Sequence, residues 1–265
     1  MANIIVEGDM YRELDGQLHE IKSQLRQPSG YPFDPDLLRA NLQHIIEGRF
    51  PYRPPQQGIH VPMLVPQGFK AKETNLAKAI LAAEQFTKKV LGERVDLRKR
   101  FDFPAEPPWK DVLCVYDPGF NNRQAVEKAL QGQKLTVFEE TDLMEYSGCQ
   151  ALSHPTLHII ENSLRPTEDT LGNSAKSPDQ LNADGRIYLD QRGYALAFGQ
   201  RYFTSKDYLD PETWTWFPKN RLPSGRVGRG RWDPDDREVR FDWWGSVDVY
   251  PRCGARLAIP VTLKP

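Results

Sequence analysis

Cysteine is scarce in this chain: Cys114, Cys149 and Cys253 are the three present in 265 residues. They are too few and too scattered for a disulfide framework or a paired-cysteine zinc site, and they fit a reducing compartment. Histidine is thin as well, with five residues. His154 and His158 with Glu161 look like a metal set, but residues four apart on a strand lie roughly 13 Å from one another, too far to share one ion. Net charge is nearly absent at −1, so no global electrostatic footprint points to nucleic acid, and any basic patch has to be local. No apolar run approaches the roughly 20 residues that a membrane helix needs. The first twenty residues carry Glu7, Asp9, Glu13 and Asp15 where a leader would be basic and then apolar. The expectation is a cytoplasmic protein without a membrane partner. Also missing are a glycine-rich phosphate loop, a Gly-x-Ser-x-Gly elbow and a Cys-His pair, so neither a catalytic residue nor a cofactor is assigned.

Hydrophobic residues make up 39% of the chain, enough for a sizeable core. Met10, Leu14, Leu18, Ile21 and Leu25 fall on one helical face, and Leu37, Leu38, Leu42, Ile45 and Ile46 form a second stripe between Asp34-Pro35 and Gly48. This predicts a helical hairpin, packed on itself or forming a homo-oligomer seam. Five prolines between Pro51 and Pro66 mark an extended connector. A third helix is predicted from Thr74 to Leu91, with Gly92 after its end.

Beyond Pro104, Pro107 and Pro108 the pattern changes. A strand over Asp111 to Tyr116, a helix over Asn122 to Leu130 and a strand over Leu135 to Phe138 form a strand-helix-strand unit, and another strand covers Thr156 to Ile160. The stretch from Arg165 to Asp184 is almost devoid of apolar residues and reads as a long loop. Strands are then expected at Arg186 to Leu189, Tyr194 to Phe198, Thr213 to Phe217, Glu238 to Trp243 and Arg256 to Val261.

The richest segment is the last. Arg226-Val227-Gly228-Arg229-Gly230-Arg231-Trp232 leads through an Asp-rich turn, Asp233 to Arg237, into Val239-Arg240-Phe241-Asp242-Trp243-Trp244, and Gly254-Ala255-Arg256-Leu257-Ala258 closes the region. Alternation puts Phe241 and Trp243 in the core and turns Asp242 and Trp244 outward. Exposed aromatics among charges are what binding hot spots use.

The stretches Arg226 to Trp232, Asp233 to Arg240 and Gly254 to Ala258 resemble the C-terminal core of the C-type-lectin-like fold found in formylglycine-generating enzymes, sulfatase-modifying-factor domains and variable proteins of diversity-generating retroelements. Arg231 and Ala255 depart from the usual residues. The resemblance implies an α+β domain with long loops over residues 101–265, and the helical spacing before it predicts a helical region over residues 1–100 that docks, oligomerises or tethers it. It implies non-catalytic binding of a protein or other macromolecule, as in a retroelement-diversified variable protein, with the ligand surface carried by Asp233, Asp235, Arg237, Arg240, Asp242, Trp244, Ser246, Asp248 and Tyr250. Copper binding as in formylglycine-generating enzymes needs two nearby cysteines, and Cys253 has no such neighbour. A Cys149–Cys253 bridge is an option that some relatives suggest.

Three further readings stay open. Asp117, Glu139, Glu140, Asp142 and Glu161 follow predicted strands, where α/β folds place metal-binding acids, so a metal-dependent hydrolase is an alternative. Arg226, Arg229 and Arg231 could pair phosphates in a nucleic-acid-binding accessory protein, or form a solvated strand edge neutralised by Asp233, Asp235 and Asp236. That acidic run also offers oxygens to calcium, but without the twelve-residue loop pattern.

Overall fold

A computed structural model describes residues 75–104, 107–166 and 175–264. All of them belong to one compact unit of the chain. The two helices expected before Gly48 and the proline-rich connector lie outside the described residues, as does 167–174 within the polar stretch.

The third expected helix is present. α1, Leu76–Phe86, continues through a π-helical turn, Thr87–Leu91, and stops at Gly92, whose φ of 78° is readily reached by glycine. Its buried face is Ala79, Ile80, Ala83 and Phe86. A short α2, Leu97–Arg100, is capped by the Asp96 side chain, which accepts from the Lys99 N–H at 3.1 Å.

Three sheets follow. β1, Phe101–Asp102, pairs antiparallel with β10, Thr262–Leu263. β2, Val112–Asp117, pairs antiparallel with β4, Thr156–Glu161, and β4 with β9, Ala258–Pro260. The largest sheet has the order β3-β7-β6-β5-β8, from Thr136–Glu139, Glu238–Trp244, Val227–Asp233, Trp214–Arg221 and Cys253–Gly254. Its inner pairs are antiparallel and its two outer pairs, β3 with β7 and β5 with β8, are parallel. The expected strand-helix-strand unit therefore exists as β2, α3 (Asn122–Ala129) and β3, but its two strands belong to different sheets.

The largest correction concerns Tyr194 to Phe198, expected as a strand. These residues lie in the longest helix, α5, Gln191–Ser205, opened by Asp190, which accepts from the Gly193 N–H at 2.7 Å. Ten consecutive residues, Gln191 to Gln200, are buried. A helix enclosed on all sides has no polar face and so shows no helical stripe in its sequence. α5 sits in the middle of the fold: Leu113 and Val115 of β2 and Trp232, Val239 and Phe241 of the large sheet share one core with Tyr194 and Phe198. Tyr194 meets Phe241 edge-on, with ring centres 6.1 Å apart. On its other side β2 offers Val112, Cys114 and Tyr116 to Ala79, Ile80 and Ala83 of α1, so β2 is buried along its whole length.

That packing also crosses the division expected at residue 100. Leu97 and Phe101 lie on either side of it, yet both are buried in the core that contains α1, β2 and β4. The polar stretch holds a helix, α4, Pro178–Ala183, started by a reciprocal cap between Ser177 and Gln180. The strand expected at Arg186 to Leu189 shrinks to a single bridge, Tyr188 to Leu257. Of the closing strand expected from Arg256 to Val261, Ala258–Pro260 forms β9, with β8 ending before the span and β10 starting after it. Cys114, Cys149 and Cys253 are free buried thiols, so Cys149 and Cys253 are not bridged. The fold is mixed α+β, as the sequence implies.

Candidate functional site

The site grows from β6, the middle strand of the large sheet. Directly opposed residues of an antiparallel pair share a face. The pairings Gly230 with Phe241 and Trp232 with Val239 define the face towards α5, and Arg229 with Asp242 and Arg231 with Arg240 define the outer one. Gly230 has to be small, because a Cβ there would come within 2.9 Å of the Phe217 and Tyr194 rings. Trp216, opposite Arg229, brings β5 aromatics onto the outer face.

On that outer face arginines, aromatic rings and carboxylates interlock. The Arg229 guanidinium lies 4.0 Å from the centre of Trp214 and 4.6 Å from that of Trp244, and it pairs with Asp242 at 2.8 Å. Arg231 lies 4.8 Å from Trp214 and pairs with Asp233. Arg240 covers Phe138 at 4.4 Å and reaches Asp233 at 3.4 Å. Each cation-π contact is worth about 0.5–2 kcal/mol depending on its desolvation. Burial pushes the Asp233 carboxyl up, but Arg231, the Asp235 N–H and Arg240 outweigh it and hold the group below its ordinary range. Burial raises the Cys253 thiol to about 11 against the pull of Arg229. The expectation of a solvated edge for the Arg226 to Arg231 strand is thus corrected: Arg229 and Arg231 lie in the centre of a sheet, and their charges are used internally.

The nine expected ligand residues consequently separate. Asp233, Arg240 and Asp242 are held in these ion pairs. Asp235 and Arg237 belong to the turn between β6 and β7, where Arg237 adopts a φ of 55°. The Ser246 hydroxyl donates to Asp179 of α4 at 2.9 Å, and Asp179 also pairs with Arg221 at 2.6 Å. Although burial raises Asp179, these two partners bring it below its usual range. Trp244 at the end of β7 and Tyr250 on the segment between β7 and β8 remain at the surface, with Asp248 half-buried on the same segment.

That segment also carries two residues absent from the sequence-based set. Val247 is 73% exposed and Val249 50%, beside Trp244 at 39% and Tyr250 at 37%. The Trp244 and Tyr250 rings lie 5.8 Å apart at 82°. Asp248 folds back over Gly245, where a Cβ would collide with its carboxylate. Two anchors fix this apolar loop: Arg229 beneath Trp244, and the Asp179–Ser246 contact. As alternation predicts, Phe241 is buried and Trp244 faces outward. Trp243 is half-buried, with its Nε1–H donating to Thr141 Oγ1 at 3.2 Å and its ring under Arg226 at 3.7 Å.

The acids read as a metal-binding set do not converge. β2 and β4 run antiparallel, so Asp117 lies opposite Thr156 at one end while Glu161 lies opposite Val112 at the other. Asp117 accepts from the Gly119 and Phe120 N–H groups at 2.8 and 2.9 Å and pairs with buried Arg192 at 2.7 Å. It shapes the turn into α3. Glu139 is taken by Arg123 at 2.6 Å. Among the described residues no helix is long and apolar enough to cross a membrane.

No protein-family model, curated protein or solved structure matches the chain.

Proposed function

We propose that this chain is a non-catalytic recognition protein of C-type-lectin-like type, comparable to a retroelement variable protein, which binds a protein or other macromolecule through the loop between β7 and β8. One observation carries this: Trp244, Val247, Val249 and Tyr250 are exposed together within seven residues. Clustered exposed apolar groups of this kind mark interaction sites more often than isolated ones do. Its two anchors favour binding, because a loop already held in shape loses less freedom when a partner arrives. The central β6–β7 pair and the helix packed on its inner face support the lectin-like reading. The chain before Asn75 would serve to dock, oligomerise or tether the domain.

The test compares wild type with the Trp244→Ala/Tyr250→Ala double variant in the same pull-down, with melting temperatures measured on both. A partner retained by wild type and lost by a variant that melts within a few degrees of it supports recognition through this loop. Equal retention by both removes the loop from the binding surface.

A further inference from the structure

Away from the loop, a small cavity lies where three parts of the chain meet: Trp109 ahead of β2, Glu161 to Pro166 after β4, and Arg256-Leu257 between β8 and β9. It offers about 10 Å³ for the centre of a water-sized sphere, about what one water needs. Two buried donors belong to its walls. Trp109 is 3% exposed, and its Nε1–H has no hydrogen-bond partner among the described residues. Arg256 is held rigidly: Nη1 donates to the Ser163 carbonyl at 2.9 Å and its hydroxyl at 3.3 Å, and Nη2 donates to the Leu164 carbonyl at 3.1 Å and to Asp210 at 2.6 Å. Its remaining N–H, on Nε, is buried without an acceptor among the described residues. The Glu161 carboxylate lines the same space.

We infer that this cavity is a binding site for one ordered water, which accepts from Trp109 Nε1 and Arg256 Nε and donates to the Glu161 carboxylate. The chemistry selects water. Two N–H donors repel a cation, the carboxylate repels an anion, and the volume admits a single small molecule that can accept twice and donate as well. Buried donors of this kind almost always find a partner. The water joins the entry of β2, the exit of β4 and the closing segment, so it ties the middle sheet to the segment that links it to the large one.

A high-resolution crystal structure of the wild-type chain tests this, with water-to-indole cross-relaxation measured by NMR in solution. The Trp109 indole signal is assigned by its loss in Trp109→Phe. The expected result is a density peak within about 3.2 Å of both nitrogens and a cross-peak at the Trp109 indole with the sign of a long-lived water. Direct donation from Trp109 to Glu161 without density between them, or an indole lacking that cross-peak, overturns the inference. Both readouts use the wild-type protein, so a poorly folding variant does not blunt them.

Discussion

Arg256 and Asp210 meet at 2.6 Å in the interior, with side chains 3% and 0% exposed. Thr215 completes the setting by donating to Asp210 at 2.7 Å. The pair connects the closing segment to β5, and its loss should register throughout the domain.

Arg256→Met strands a carboxylate in the core and should cost about 3–5 kcal/mol, whereas Arg256→Met combined with Asp210→Leu should cost less, because no unpaired charge remains. Burial raises the Asp210 carboxyl, opposed by Arg256. An acid whose folded pKa is raised contributes stability below its unfolded pKa of about 3.9, and that contribution is lost as pH rises through the folded value. Removing Arg256 raises the folded value further, so the single variant should be closer to wild type in acid than at neutral pH. Urea unfolding at both pH values measures the gap.

Asp233 behaves in the opposite sense. Its folded pKa is depressed, so its stabilisation is present above about 3.9 and is lost as pH falls through the folded value. Asp233→Asn should unfold more easily than wild type at pH 6 and show a shallower loss of stability on acidification. A parallel fall of both proteins would mean that Arg231 and Arg240 lend this carboxylate no net support.

Gly199 marks the crossing of α5 and α3. A Cβ at this position overlaps the Ala129 carbonyl, a backbone atom that cannot swing aside. Gly199→Ala should therefore destabilise the chain by about 1–3 kcal/mol, although alanine is the better helix former. A gain in melting temperature would show that the two helices separate easily.

The aromatic residues of the outer face should divide by depth. Trp216→Ala, at a fully buried position, should cost about 3–5 kcal/mol. Trp244→Ala and Tyr250→Ala remove partly exposed rings and should each stay within roughly 1 kcal/mol. Similar losses for all three would make the exposed loop a structural element.

The visible and hidden parts of the fold separate for physical reasons. α1 is legible because it packs through one face, so Ala79, Ile80, Ala83 and Phe86 keep helical spacing. α5 is hidden because it packs through every face, and Tyr194 to Phe198 then reads as an unbroken apolar run. Its N-cap, Asp190 three residues before Gly193, was the available signal. β6 reads only as a solvated edge because glycine and arginine fill it. Its burial depends on Trp214 and Asp242, rings and charges that sequence spacing does not bring together. In the candidate site, period-two alternation turned Trp244 outward correctly. The structural use of Asp242 and Ser246 depends on partners 13 and 67 residues away, which no local pattern displays.

The stretch from Cys253 to Leu263 adds β8 to the largest sheet, β9 to the middle one and β10 to the smallest. Each of the three sheets therefore waits for the same few residues. During synthesis the largest sheet waits for Gly254, the middle one for Pro260 and the smallest for Leu263, so the core around α5, to which Ala258 belongs, stays incompletely covered until this stretch is made. Such a chain is exposed to misassembly and chaperone capture late in its production, and little of its native order can be secured early.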